Sequence, residues 1–214
     1  MSDLTYRLGV LQGRLYAERS RSVLLVLQGL DASGKDGTIR RVFTGLSPLG
    51  CDVVPFRVPT STEAAHDFLW RIHQALPERG DIGIFNRSHY EDVVAAEVIG
   101  AIDDHRRKRR YDHINAFEQM LCDEGTTLVK IFLHVGKDEQ RARLQSRLDD
   151  PEKRWKFEPA DLETRRKWDD YMRLFDAAIT ATSTEWAPWF VVPADHKWVS
   201  GVAAAALLLD ALEA

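Results

Sequence analysis

Cysteine is nearly absent. Cys51 and Cys122 are the only two, far apart and without CxxC spacing, which excludes a disulfide framework or a cysteine zinc site and suits a reducing compartment. Each reads as a small buried apolar residue. Long apolar runs are missing too: the longest, "VAAAALLL" at 202–209, is too short to cross a bilayer. The opening stretch "MSDLTYRLGVLQGRLYAERSRS" lacks the apolar core of a secretion signal. A cytoplasmic protein with no membrane partner is expected. Nor does charge of one sign dominate, since 29 Lys+Arg against 33 Asp+Glu leave a formal net charge of -4. The chain as a whole is therefore not built to grip nucleic acid, although a local basic patch stays open. With no repeat, no low-complexity tract and no Pro/Gly/Ser-rich linker, the 214 residues read as one domain, 1–214.

What is present is an alternation of short β-branched runs and helical patterns. The candidate strands are "SVLLVLQ" (22–28), "DVVPFRV" (52–58), "DIGIFN" (81–86), "TLVKIFLHV" (127–135) and "WFVVP" (189–193). Five such runs separated by helices predict an α/β fold, a three-layer α/β/α sandwich around a five-stranded parallel sheet. Pro55 places the second strand at an edge. Between the second and third strands, Thr60 and Glu63 form a capping-box pattern, and Ala65, Phe68, Leu69, Ile72 and Leu76 recur at helical spacing, predicting one packed helix. His66 and His73 would share its face, without a third ligand to make a metal site. Residues 111–125 predict another helix, with Ile114, Phe117 and Leu121 inward and Gly125 as the stop.

The stretch "GLDASGKDGT" (29–38) carries the chemistry. A buried strand, a glycine-rich turn and a lysine entering a helix direct backbone N–H groups and a helix N-terminus at one anion. Gly29, Gly34 and Lys35 fit G-x-x-x-x-G-K, and the residues Ala32, Ser33, Asp36 and Gly37 complete the candidate phosphate cradle. The expected Ser/Thr after the lysine is replaced by Asp36. Acids beside a polyphosphate tail imply a bridging cation, so Asp31 is the candidate Mg²⁺ ligand. Asp36 is open to two readings, a favourable charge at the helix N-terminus or a metal or acceptor contact.

Asn86 stands after the third strand where an acidic residue would orient Mg²⁺ or its water, and an amide coordinates weakly, which shifts the burden to Asp31, helped by Glu91 or Asp92. Arg87, just past the carboxyl edge of the sheet, suits bidentate phosphate contact. His89 and Tyr90 read as packing or nucleotide-contact residues rather than bases, because a phosphate acceptor is already ionised. In "HVGKDEQRARLQSRLDDPEKRWKF", Glu139 and Arg143 read as one surface pair and Arg147 and Asp150 as another. Arg147, Lys153, Arg154 and Lys156, with Trp155 and Phe157 to exclude water, read as a phosphate-binding lid over about 137–170. The basic run Arg106 to Arg110 reads either as a solvated helix face or as part of a polyanion channel. Trp186, Trp189 and Trp198 read as core and interface residues.

"GLDASGKDGT" together with "IGIFNRSHYEDV" (82–93) and "DDPEKRWKFEPADLETRRKWDDYM" (149–172) resembles the polyphosphate kinase 2 family, and the likeness runs from about Leu8 to the C-terminal helix. The resemblance implies a P-loop, thymidylate-kinase-like fold with a helical lid, Mg²⁺ dependence, and phosphate transfer between inorganic polyphosphate and nucleoside mono- or diphosphates. Asn86, where many members have Asp, is similar to the subgroup that phosphorylates AMP and ADP in succession. It further implies adenine or guanine nucleotides as partners, no nucleic acid, and a homo-oligomer, dimer or tetramer. Catalysis is then expected from Asp31, Lys35, Asn86 and Arg87, with Arg87, His89, Tyr90 and Glu91 at the nucleotide. An ATP-dependent nucleoside monophosphate kinase and a catalytically silent nucleotide or polyphosphate sensor are the two other readings of the same residues.

Overall fold

The computed structural model describes residues 2–214. Helix α1 (Ser2–Glu18) leads into β1 (Ser22–Gln28), whose seven residues are all buried, as a strand covered on both faces requires. There follow α2 (Lys35–Phe43), β2 (Cys51–Pro55), the short α3 (Ser61–Ala64) and α4 (Trp70–Gln74), β3 (Ile82–Asn86), α5 (Ala95–Val98), α6 (Asp104–Asp123), β4 (Thr126–His134), α7 (Lys137–Asp149), α8 (Pro159–Arg166), α9 (Trp168–Thr182), β5 (Trp189–Pro193) and α10 (Lys197–Glu213). The five strands form one sheet in the order β2-β3-β1-β4-β5, parallel throughout.

This order fixes the layers. The crossover from β1 to β2 runs one way across the sheet and those from β3 to β4 and β4 to β5 run the other, so right-handed connections put α2 on one face and α6 and α9 on the opposite one. Helix α10 packs on α1, α2 and β4, and α6 packs on α9 and β4, which completes the α/β/α sandwich. Its core is continuous through Leu24, Leu25, Val26, Ile84, Phe85, Ile131 and Leu208.

Pro55 does lie on an edge strand, and β2 stops there rather than at Val58, which is exposed. The capping box is formed: Thr60 Oγ1 accepts from Glu63 N at 3.2 Å and Glu63 Oε2 from Thr60 N at 2.7 Å. The single helix expected over Ala65 to Leu76 is not. The Asp67 carboxylate accepts from Leu69 N at 2.9 Å, and His66 stacks on Trp70 at 4.0 Å, so the chain turns at 66–69 and restarts as α4. Ala65 is exposed in consequence, while Ile72 stays buried. His66 and His73 thus sit on different segments, and no group of three His, Cys, Asp or Glu side chains among the described residues could hold a metal. Helix α6 begins earlier than expected and carries the whole basic run; Gly125, at φ 92°, ends it.

Both cysteines are free and half-buried rather than fully buried, and burial pushes the Cys51 thiol up to about 11. Trp189 packs in the core against Tyr90, whereas Trp186 and Trp198 are exposed. No described helix is long and apolar enough to cross a membrane.

Candidate active site

Strands β1 and β3 are neighbours, with Leu27 opposite Asn86, so the loops leaving their carboxyl ends meet at one place. Ligands of open parallel sheets bind at such a crevice. The loop after β1 turns through positive φ at Gly29 (148°), Ala32 (62°) and Gly34 (106°). A Cβ on Gly29 would stand 2.7 Å from the Leu133 carbonyl oxygen and 2.7 Å from Ser33 Oγ, so only glycine fits there. Ala32 holds the left-handed conformation with a side chain, at a cost of about 1 kcal/mol. Strain of that kind persists where the surroundings over-determine it.

Lys35 is buried, and its Nζ donates to the carbonyls of Gly29 at 2.7 Å and Leu30 at 3.2 Å. Burial, then the neighbouring Arg87 charge, lowers its pKa to about 8, against the pull of Asp31, Glu91 and Asp36. Ser33 Oγ is buried without a hydrogen-bond partner, an orphan polar atom in the loop that the sequence marks as a phosphate cradle. Thr38 does not replace the missing hydroxyl after the lysine, because it is buried and its Oγ1 donates to Ser200 at 3.3 Å.

Arg87, itself at φ 64°, sits at the centre. Its guanidinium is ion-paired to Asp31 and lies 3.4 Å from Glu91. Glu91, then Asp31, hold Arg87 still more firmly in its charged form, against burial. Glu91 is pushed above the ordinary carboxylate range by burial, with Arg87 and Lys35 opposing. Asp36 lies in the first turn of α2, where its charge is favourable, and its carboxylate also accepts from Asn86 Nδ2 at 2.8 Å. The two departures from the common P-loop pattern are therefore one feature: a carboxylate after the lysine is matched by an amide after β3, where a second carboxylate would repel it at that distance.

His89 and Tyr90 do not face this cleft. Both are buried, and with Lys130 they surround the Glu118 carboxylate, at 3.2 Å from His89 Nε2, 2.8 Å from Tyr90 Oη and 2.5 Å from Lys130 Nζ. Lys130 also donates to the Thr182 carbonyl at 2.7 Å. Burial alone would raise the Glu118 carboxyl; the His89 hydrogen bond and the Lys130 charge outweigh it and hold it low. This network packs under the turn 89–92 that follows Arg87, and it gives His89 and Tyr90 the packing role of the two readings. Asp92, the other open acid, accepts from Arg71 at 3.0 Å and is structural.

The segment after β4 reaches the loop in ways that spacing did not show. Arg143 does pair with Glu139, at 2.8 Å, but its guanidinium also donates to the carbonyls of Ala32 and Ser33, 3.0 Å each, and to those of Ala194 at 2.5 Å and Asp195 at 2.9 Å. Gln140 Nε2 donates to the Asp31 carbonyl at 3.0 Å. Arg147 pairs with Asp161 at 3.1 Å rather than with Asp150, because α8 folds back across α7. Burial and the Asp31 charge raise the Asp161 carboxyl, with Arg147 opposing. Thr164, Tyr171 and Phe175 close over Gly29, Asp31, Arg87 and Glu91, leaving a cavity of about 50 Å³.

Lys153, Arg154 and Lys156 are not gathered at the loop. Lys153 pairs with Asp150 at 2.5 Å, Arg154 Nε donates to the Leu148 carbonyl at 2.8 Å, and Lys156 lies over the Trp155 ring at 5.1 Å. Trp155 is 77% exposed, so it excludes no water here.

A family model described as Polyphosphate kinase 2 (PPK2) matches residues 1–214. The AMP/ADP-polyphosphate phosphotransferase of Meiothermus ruber is 54% identical over 213 residues, covering 100% of this chain and 80% of that protein. The ADP-polyphosphate phosphotransferase of Rhodopseudomonas palustris is 48% identical, covering 89% of this chain and 70% of that protein. The crystal structure of polyphosphate kinase 2 from Arthrobacter aurescens TC1 superposes with a TM-score of 0.97 at 46% identity, over 99% of this chain and 76% of that one. A phosphate loop with a buried lysine, set in a chain alike from end to end, leaves one assignment: this protein belongs to the polyphosphate kinase 2 family.

Proposed function

We propose that this enzyme transfers phosphate between inorganic polyphosphate and adenine nucleotides, taking AMP to ADP and ADP to ATP, with Mg²⁺ as the divalent ion. The observation that carries the reading is the convergence of buried Lys35, the Asp31–Arg87 pair and Glu91 at the carboxyl ends of β1 and β3, in a chain 54% identical to an AMP/ADP-polyphosphate phosphotransferase.

The acceptor is a nucleotide phosphate oxygen, ionised near neutral pH, so the chain need supply no general base. Its work is alignment and charge stabilisation. Lys35, satisfied here by the carbonyls of Gly29 and Leu30, moves its three donors to phosphoryl oxygens when a phosphate chain enters. Arg87 exchanges the Asp31 carboxylate for the acceptor's phosphate, and its planar fork then holds two oxygens at once. That exchange frees Asp31. Mg²⁺ takes one or two carboxylates and completes its shell with water and phosphate oxygens, so Asp31 fits it without a protein cage. Asp31 would hold the ion, whose positive charge would stabilise the transferring group. Thr164 and Tyr171 then cover the reacting atoms and limit water as a competing acceptor.

The test is AMP, ADP, GMP or GDP with polyphosphate and Mg²⁺, no ATP added, and products separated by chromatography. ADP and ATP should form from AMP. If turnover requires ATP as donor, the chain is a nucleoside monophosphate kinase instead; if ligands bind and nothing turns over, it is a sensor.

A further inference from the structure

Gln140, Arg143 and Arg147 follow one another at helical spacing, so they share one face of α7, and that face lies against the phosphate loop and α8. It takes three consecutive loop carbonyls at 3.0 Å each: that of Asp31 on Gln140 Nε2, and those of Ala32 and Ser33 on Arg143 Nη1. The rest of the Arg143 guanidinium is committed as well. Its Nε donates to Glu139 at 2.8 Å, and its Nη2 to the carbonyls of Ala194 at 2.5 Å and Asp195 at 2.9 Å. All five N–H donors are thereby used, and none is left for a substrate phosphate.

The carbonyls held in this way belong to the peptides that set two positive-φ residues of the loop. Turning the Asp31–Ala32 peptide changes φ of Ala32, 62°, and turning the Ser33–Gly34 peptide changes φ of Gly34, 106°. Gln140 fixes the first peptide and Arg143 the second. A trans peptide sets its N–H opposite its C=O, so each carbonyl turned to α7 sends the following amide the other way. The Ala32 and Gly34 amides have no acceptor among the described residues, whereas Ser33 N is spent on the Leu30 carbonyl at 3.1 Å. Turning over the first peptide would take Ala32 out of the left-handed region. Turning over either would present an oxygen where an anion would otherwise meet an N–H. Gln140 is fully buried, and its Oε1 accepts from Arg165 of α8 at 3.1 Å, so the helix that covers the cleft braces the same contact.

We infer that Arg143 and Gln140 are positioning residues, which hold two peptides of the phosphate loop with their amides turned toward the incoming phosphate and touch no substrate themselves. The inference rests on the function proposed above and adds what keeps the cradle set before a ligand arrives. Donors fixed in advance cost no reorganisation when negative charge develops on the transferring group. Lysine could not take the place of Arg143, because one ammonium with three donors and no planar fork would face the five acceptors that Arg143 serves.

The experiment compares wild type with Arg143→Met, Arg143→Lys and Gln140→Met. ATP formation from ADP and tripolyphosphate is followed, and hydrogen exchange of the free enzymes is read over residues 29–35, with denaturant unfolding to confirm that each variant is folded. Arg143→Met should lower kcat about 10²-fold and leave the KM for ADP and for tripolyphosphate within about threefold, as a small displacement of fixed donors does. Arg143→Lys should recover less than about threefold of that loss. Gln140→Met keeps the side chain's length and leaves Arg143 in place, and should lower kcat about tenfold. In all three, amides of residues 29–35 should exchange about tenfold faster or more in the free enzyme. Wild-type exchange over that segment in Arg143→Met and Gln140→Met overturns the inference, and a loss of kcat alongside it would make Arg143 a substrate ligand. Wild-type kcat in both variants overturns it too, as does full recovery by Arg143→Lys, which would assign the effect to charge alone. Should Arg143→Met not fold, Gln140→Met decides by the same two readings. Absence of any turnover by wild type would sink the functional reading alone, and exchange in the free enzymes would still decide whether α7 holds the loop.

Discussion

Lys35→Ala should lower kcat by about 10²–10³-fold, the usual effect of removing one fixed donor from a transition state that is gathering negative charge. The expectation follows from where the side chain is held. Its Nζ is parked on two carbonyls of its own loop, 2.7 and 3.2 Å away, at the carboxyl end of β1 where the proposed site lies. The folded loop should survive the change, because Arg143 and Gln140 hold its carbonyls independently. A pH profile separates this charge effect from a packing effect. With its pKa lowered to about 8 by burial and Arg87, Lys35 is protonated below that value and neutral above it in the free enzyme. Wild-type kcat/KM should therefore fall on the alkaline side with a midpoint near 8, and the fall should be missing from the residual activity of Lys35→Ala. A flat alkaline limb in wild type would mean that the lysine's charge is not used.

Glu118→Ala should destabilise the fold by about 3–5 kcal/mol, because it leaves the Lys130 ammonium buried without its counter-charge. Both side chains are fully buried, and the same carboxylate serves His89 and Tyr90. Denaturant unfolding measures the loss. Glu118→Leu/Lys130→Met should be more stable than either single substitution, since it removes both charges together, yet less stable than wild type, because the Thr182 carbonyl and the Tyr90 hydroxyl lose their partners. If the single substitution costs less than about 1 kcal/mol, the network is not the buried ion pair that its geometry describes.

The sequence exposed the parts of this fold that depend on local chemistry. Buried β-branched runs gave the strands, Pro55 gave the sheet edge, and Thr60 with Glu63 gave a helix start, since each effect acts within a few residues. Apolar spacing misled beyond that start. Ala65 to Leu76 keeps helical period through a real break, and only the competition of the Asp67 side chain for a main-chain amide explains it. At the site, the glycines, Lys35, Asp31 and Arg87 were legible because the phosphate loop is itself a local structure. Arg143 was not: its pairing with Glu139 was readable, whereas its four carbonyl contacts come from residues far along the chain. Thr164 and Tyr171 lie in the quoted stretch 149–172, but nothing singled them out within it; the way α8 and α9 lie across the cleft makes them relevant. For His89 and Tyr90 the sequence left two roles open, and distant residues decide for packing: adjacent to Arg87 in sequence, they are turned into the core by a Glu118–Lys130 pair that no motif announces.

The proposed reaction requires Asp31 to change partners, from the Arg87 guanidinium to a divalent ion. A crystal structure with ADP and polyphosphate, grown with Mn²⁺ so that anomalous scattering locates the metal, tests this directly. The ion should be bonded to an Asp31 carboxylate oxygen and to phosphate, with Arg87 turned to a nucleotide phosphate. Asp31 still paired to Arg87, with the metal and the phosphates gathered on other residues, would contradict it.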